Sequence, residues 1–142
     1  DAAAAVLVAS EEAVEKYNLT PKAEFLGFSV AGVQAEIMGI GPVKAVPKVL
    51  DSLNLNLEDI GWIELNEAFA AQSLAVIQEL KLDPNKVNPL GGAIALGHPL
   101  GATGAIRVAT LISAMQRDKI DYGMVTMCIG TGMGAAGVIK RC

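Results

Sequence analysis

Three polar residues in this 142-residue chain have side chains suited to moving protons beside a reactive carbonyl. Asn66 follows the short apolar run GWIEL, His98 lies within GGAIALGHPLG, and Cys128 stands between YGMVTM and IGTGMG. A free thiol titrates near about 8.5 and an imidazole near about 6.5, so a modest shift brings a thiolate–imidazolium pair within reach of neutral pH. Asn does not titrate, but its amide can orient a water or a carbonyl. Singly, each residue has a plainer role. An Asn before a helix is a cap, a His before Pro is a structural hydrogen bonder, and a Cys ending an apolar strand is inert core. What points to a site is their joint placement, each beside a loop richer in glycine than packing alone requires.

The elements that must position these residues follow from hydrophobic period and turn chemistry. Residues 3–9 (AAAVLVA) read as a buried strand, and Ser10 caps a helix whose first turn carries Glu11 and Glu12, where the helix dipole favours acids. Residues 22–31 are a second strand. Gly39–Gly41 is a tight loop, and Pro42 suits the first position of a helix carrying Val43, Val46, Val49, Leu50 and Leu53, although Pro47 removes an internal hydrogen bond. Residues 61–65 form a short strand. Asn66 then caps a helix running through Leu80, with Ala70, Leu74 and Ile77 inward, and Asp83-Pro84-Asn85 is a turn. Residues 87–101 are too rich in Gly and Pro for one regular element, yet apolar enough to be packed. A helix over 101–117, a strand over 122–128, a glycine turn over 129–134 and a last strand over 135–140 complete the chain. Strands alternating with helices predict a mostly parallel sheet with crossovers, and the short final turn makes the last strand antiparallel. In such sheets the carboxyl ends of parallel strands face the ligand crevice, which would aim Asn66 and Cys128 the same way and leave His98 on a loop able to reach the same rim.

Composition removes several classes of function. Apolar residues make up 52% of the chain, enough to offset ordering entropy, which excludes disorder. A formal net charge of −4 without a basic patch excludes nucleic acid as a partner. No apolar run is long enough for a membrane span. One His and two Cys are too few and too scattered for a closed zinc site, so no metal is expected. Two cysteines do not make a disulfide scaffold, and Cys142 is given no role. A reducing, cytoplasmic setting is the expectation. Gly132-x-Gly134-x-x-Gly137 fits a dinucleotide fingerprint, but the helix and the acidic residue about 20 positions on are missing. A phosphate P-loop fails for want of Gly-Lys-Ser/Thr. These glycines instead suggest a backbone N–H turned into a site, as in an oxyanion hole.

Four segments carry a family resemblance: Asn66-Glu67-Ala68-Phe69-Ala70, Gly91-Gly92-Ala93-Ile94-Ala95-Leu96-Gly97-His98-Pro99, Cys128-Ile129-Gly130 with Gly132-Met133-Gly134, and Glu36-Ile37-Met38-Gly39-Ile40-Gly41-Pro42. In order and over essentially the whole chain, they resemble the C-terminal blocks of the thiolases, most of all 3-ketoacyl-CoA thiolases (acetyl-CoA acyltransferases). The resemblance implies a thiolase-like α/β fold: a mixed, mostly parallel five-stranded sheet with helices on both faces. Residues 21–142 would be the C-terminal domain and residues 1–20 the last strand and helix of an N-terminal domain that holds the nucleophilic cysteine. The chain alone is then not expected to complete acyl transfer.

The resemblance also implies roles. Cys128 would shuttle the proton at the substrate α-carbon, and His98 would activate the nucleophile of the other domain and help bind the thioester oxygen. Asn66 would hold a water completing that oxyanion site, the Gly130 amide would donate to a second one, and Met38 and Phe69 would line the acyl and pantetheine pocket. Coenzyme A thioesters would be substrates, with no resident cofactor. The expected partners are acyl-CoA, the N-terminal thiolase domain and further copies in a homodimer or homotetramer. Such an enzyme would serve thiolytic cleavage in fatty acid β-oxidation, or the reverse Claisen condensation, in the cytoplasm or else a peroxisome or mitochondrion. An acetoacetyl-CoA thiolase (acetyl-CoA C-acetyltransferase) is the alternative enzyme, and a non-catalytic assembly module the alternative class. Two departures stand out. The family's Asp-Gly-Ala-Ala start reads Asp1-Ala2-Ala3, and its usual Arg after Gly-Ala-Thr-Gly is displaced by one, with Ile106 in its place and Arg107 following. The displaced Arg leaves the local ion pairing open.

Overall fold

A computed structural model describes residues 2–142; Asp1, the first residue of the altered start, lies outside them. Residues 2–9 form no strand. They run without regular structure, and Leu7 and Val8 are more than four-fifths exposed. An apolar run becomes a buried strand only where a neighbour takes up its N–H and C=O groups, and no strand of this sheet lies alongside it. The helix that follows is present as α1 (Glu11–Lys16), with Ser10 Oγ accepting from the Ala13 N–H at 3.2 Å.

Among the described residues four strands form one sheet, not five: β1 (Ala23–Gly32), β2 (Trp62–Leu65), β3 (Tyr122–Ile129) and β4 (Met133–Arg141), in the order β1-β4-β3-β2. β4 is antiparallel to both neighbours and β2 is parallel to β3, so β1, β2 and β3 all run one way and the last strand alone runs back. The sheet is mixed as expected and its last strand is antiparallel, but because β4 lies between β1 and β3, two of the three pairings among the described residues are antiparallel and β2–β3 is the parallel one.

Alternation along the strands divides the core in two. Ile63, Leu65, Met124, Ala136 and Val138 meet Ala45, Val46, Val49 and Leu50 of helix α2 (Pro42–Leu53) on one face. Trp62, Val125 and Ile139 meet Leu111, Ala114 and Met115 of helix α5 (Thr103–Asp118) on the other. A sheet covered on both faces needs apolar residues at successive positions, which is why these strands read as continuous apolar runs. Pro42 opens α2 as expected. Pro47 is tolerated because it sits on the exposed side of that helix, where water can bond the carbonyl it leaves free.

Two local expectations fail. Asn66 does not cap a helix: α3 (Ala70–Leu80) starts four residues later, with Phe69 at its cap position and no side-chain cap bond. Its inner face is Gln72, Ser73 and Val76, whereas Ala70 and Leu74 are exposed and Ile77 is half-buried. The helix is turned by its fit against the 3-10 turn Ala35–Ile40, where Gly39 lies so close to Gln72 that an added Cβ would stand 2.7 Å from Gln72 Cγ. The 87–101 segment is also less packed than expected. Leu90, Ile94, Leu96 and Leu100 are exposed, and its only regular piece is the one-turn helix α4 (Ala93–Leu96).

The displaced arginine does form an ion pair. Arg107 Nη1 bonds Glu64 Oε2 at 3.0 Å and the Gly91 carbonyl at 3.3 Å, and Trp62 Nε1 donates to Glu64 Oε1 at 2.7 Å. Among the described residues, no helix is long and apolar enough to cross a membrane.

Candidate active site

Because β1, β2 and β3 run the same way, their carboxyl ends share one rim of the sheet. The candidate residues follow those ends. Met38 lies in the turn after β1, Asn66 and Phe69 after β2, and Cys128 and Gly130 at and beyond the end of β3. Backbone contacts tie the three segments together there. The Val33 N–H donates to the Gly132 carbonyl at 2.7 Å, and the Asn66 N–H to the Thr126 carbonyl at 2.9 Å. Gly41 and Gly134 lie backbone to backbone, so closely that a Cβ on either would overlap the other.

Asn66 is 2% exposed, and its Oδ1 has no hydrogen-bond partner among the described residues. A buried carbonyl oxygen without a donor costs roughly 1–3 kcal/mol, so its retention here favours a ligand or water as the missing partner. Cys128 sits on the adjacent strand, half-buried, opposite Gly134 of β4. Burial pushes its thiol above the ordinary value, partly offset by its own backbone hydrogen bond. The shift is therefore away from the thiolate expected near neutrality, because the apolar strand end removes water without supplying a cation. The protonated form is the one held in place.

His98 is exposed in the loop between α4 and α5. That loop is fastened at both ends. Thr103 Oγ1 and the Ala102 N–H donate to the Pro99 carbonyl at 3.0 and 2.7 Å, and Glu67 Oε2 accepts from the Ile94 N–H at 2.9 Å. An open hollow of about 480 Å³ surrounds His98, walled by Leu96, Pro99, Leu100 and Ile106, and Asn66 and Cys128 are not among its walls. A second hollow of about 470 Å³, between the N-terminal segment and α5, contains none of the candidate groups. Among the described residues no hydrogen bond joins the side chains of Asn66, His98 and Cys128. The fold thus gathers Asn66, Cys128, Gly130, Met38 and Phe69 at one rim, and holds His98 on a loop bonded to the segment after Asn66.

Met38 and Phe69 are 39% and 66% exposed, on elements joined through the Gly39–Gln72 contact, so they offer apolar surface beside the rim. Of the glycines after Cys128, Gly132 has φ +101 and presses on the Val33 carbonyl, and Gly134 is fixed by its approach to Gly41. Packing explains those two glycines. Gly130 is different, since a Cβ there would meet nothing within 4 Å. No group of three or more His, Cys, Asp or Glu side chains among the described residues could hold a metal ion. Two residues that sequence reasoning passed over are Glu67 and Asn88. The available signal was a charged and an amide side chain inside otherwise apolar, glycine-rich segments.

The family described as thiolase, C-terminal domain, matches residues 19–141. The chain is 54% identical over 142 residues to the 3-ketoacyl-CoA thiolase of Bacillus subtilis (strain 168), covering 100% of itself and 36% of that protein. It superposes on human mitochondrial 3-ketoacyl-CoA thiolase in complex with CoA with a TM-score of 0.93 at 47% identity, over 94% of this chain and 34% of that one. With the Bacillus anthracis acetyl-CoA acetyltransferase the TM-score is 0.92 at 46% identity, again over 94% and 34%. The chain spans about a third of the length of these relatives.

Proposed function

Because this chain belongs to the thiolase family as its C-terminal domain, we propose that it supplies the acid/base and enolate-binding half of an acyl-transferring site, with 3-ketoacyl-CoA thioesters as substrates. The other half, including the nucleophilic cysteine, comes from an N-terminal thiolase domain. Residues 21–142 are the C-terminal domain in this reading, and residues 1–20 belong to its partner.

In the degradative direction, the partner's thiolate attacks the 3-keto carbon and the Gly130 amide helps hold the resulting oxyanion. The C2–C3 bond then breaks, and its electron pair passes to the thioester oxygen as an enolate. His98 and a water on Asn66 bind that oxygen. The Cys128 thiol gives its proton to C2 and releases acetyl-CoA. As a thiolate, Cys128 next takes the proton of incoming coenzyme A, whose sulfur attacks the acyl-enzyme. A thioester α-proton is weakly acidic, so enolate binding and proton transfer must act together. A thiol kept protonated by burial suits the first of these transfers. Met38 and Phe69 line the acyl and pantetheine path. No resident cofactor takes part.

The observation that carries this reading is Asn66, sealed from bulk water with an unpartnered carbonyl oxygen at the rim that also holds Cys128. The test joins this chain to its N-terminal half. Cys128→Ser should abolish α-proton exchange while acylation of the partner cysteine stays measurable; lost acylation with normal exchange would reverse the assignment. Likeness to an acetyl-CoA acetyltransferase supports a second reading, condensation of two acetyl units, and a substrate-length series separates the two. A homodimer or homotetramer in the cytoplasm is the assembly we attach to this function.

A further inference from the structure

Glu67 stands between the two loops that this function requires to act together. Its Oε1 accepts from Asn88 Nδ2 at 3.1 Å, and its Oε2 accepts from the Ile94 N–H at 2.9 Å. The carboxylate lies against Gly92 so closely that a Cβ there would overlap its carbon and both oxygens. Ile94 is the second residue of α4, whose own cap residue, Gly92, supplies no side-chain bond. Glu67 is therefore a cap delivered from another element, with an acid at the helix end that favours one. Four residues after Ile94, past Gly97 with φ +100, comes His98.

The other arm of the link reaches Asn66. Asn88, 8% exposed, imitates a neighbouring strand: Oδ1 accepts from the Leu65 N–H at 2.9 Å and Nδ2 donates to the Leu65 carbonyl at 2.7 Å. Leu65 is the residue immediately before Asn66. One amide and one carboxylate thus connect the backbone that aims Asn66 to the short helix that precedes the His98 loop.

We propose that Glu67, acting through Asn88 and the first turn of α4, is a positioning residue that sets the distance between His98 and Asn66 so that both reach one thioester oxygen. This rests on the functional reading above. Oxyanion donors act only within a narrow range of position, and a misplacement of about 1 Å can cost roughly 100-fold in rate. Glu67→Gln tests the link gently, because one oxygen can still receive the Ile94 N–H while the new NH₂ opposes Asn88 Nδ2. Gly92→Ala tests it without touching the charge, since the added methyl displaces the carboxylate.

The experiment uses the full two-domain enzyme, with kcat and KM for acetoacetyl-CoA thiolysis and amide hydrogen exchange across residues 91–98. Both variants should lower kcat by about 10- to 100-fold with little change in KM for coenzyme A. Both should also speed exchange at Ile94 to His98 while β3 keeps its protection. Wild-type kcat in Glu67→Gln, or lowered kcat with unchanged exchange at residues 93–98, overturns the proposal. Asn66→Ala and His98→Ala report on the functional reading separately. If those two keep full turnover, that reading fails, and exchange still decides whether Glu67 holds the loop. If they lose turnover and Glu67→Gln does not, only the positioning role fails.

Discussion

Arg107 and Glu64 form an ion pair at 3.0 Å, with side chains 2% and 0% exposed. α5 and β2 are thereby joined by a charge pair inside the layer that also packs Trp62 against Leu111 and Met115. The pair completes a short network, because Trp62 Nε1 holds the second Glu64 oxygen and Arg107 also reaches the Gly91 carbonyl of the His98-bearing loop.

Removing one member of such a pair strands the other charge. Arg107→Met should therefore destabilise the fold by about 3–5 kcal/mol. Adding Glu64→Gln should restore part of that loss, since the charge is gone and a carbonyl oxygen still accepts from Trp62. Urea titration of the single and double variants measures both effects. A single variant costing under about 1 kcal/mol would show that the pair is not desolvated as its burial indicates.

Asn66 should show the reverse balance of stability and activity. Its unpartnered carbonyl contributes nothing to the fold that an apolar side chain could not. Asn66→Ala should change unfolding free energy by less than about 1 kcal/mol, while turnover of the two-domain enzyme falls by roughly 100-fold or more. Equal turnover, or a large stability loss, would make Asn66 a structural residue.

How legible the molecule is from sequence depends on whether a residue's partners are local. Ser10, Pro42 and the α2 stripe of Val46, Val49 and Leu50 were readable, because caps and helical spacing are written within a few residues. Strand direction alone predicts one rim for Asn66 and Cys128, and the parallel β2–β3 pairing has both at the carboxyl ends of those strands, whereas Gly130 is singled out only by the family resemblance. The strand expected over residues 3–9 is not formed, because an apolar run does not say whether a neighbouring strand is at hand. Asn66 misled as a cap because its backbone continues the β2–β3 ladder to Thr126 before α3 can start. The Glu67–Asn88 link and the Arg107–Glu64 pair span 21 and 43 positions, so no local pattern announces them.

The glycines after Cys128 divide by cause, and substitution should separate them. A methyl at Gly134 overlaps the Gly41 carbonyl and forces the start of α2 away from β4. Gly134→Ala should cost about 1–3 kcal/mol, the usual penalty for overpacking. At Gly137 the nearest atom to an added Cβ is Phe28 Cδ2 at 3.4 Å, so Gly137→Ala should be neutral or slightly stabilising. Thermal unfolding of the two variants gives the comparison, and equal losses would mean that backbone contact is not what fixes Gly134.

The buried Cys128 thiol should be visible in its pH behaviour. With Cys142→Ser leaving it as the only cysteine, its alkylation by iodoacetamide should follow a curve whose midpoint lies above the roughly 8.5 of a free thiol. The sign for stability follows from the same displacement. The folded thiol binds its proton more tightly than the unfolded one, so its contribution is complete below the ordinary thiol value and is lost as pH rises through the folded one. The domain should therefore lose stability on the alkaline side, and Cys128→Ser should flatten that decline without altering stability's dependence on pH below neutrality. An alkylation midpoint at or below that of free cysteine would mean that a cation, not burial, governs this sulfur, and Cys128 would then begin the reaction as a base.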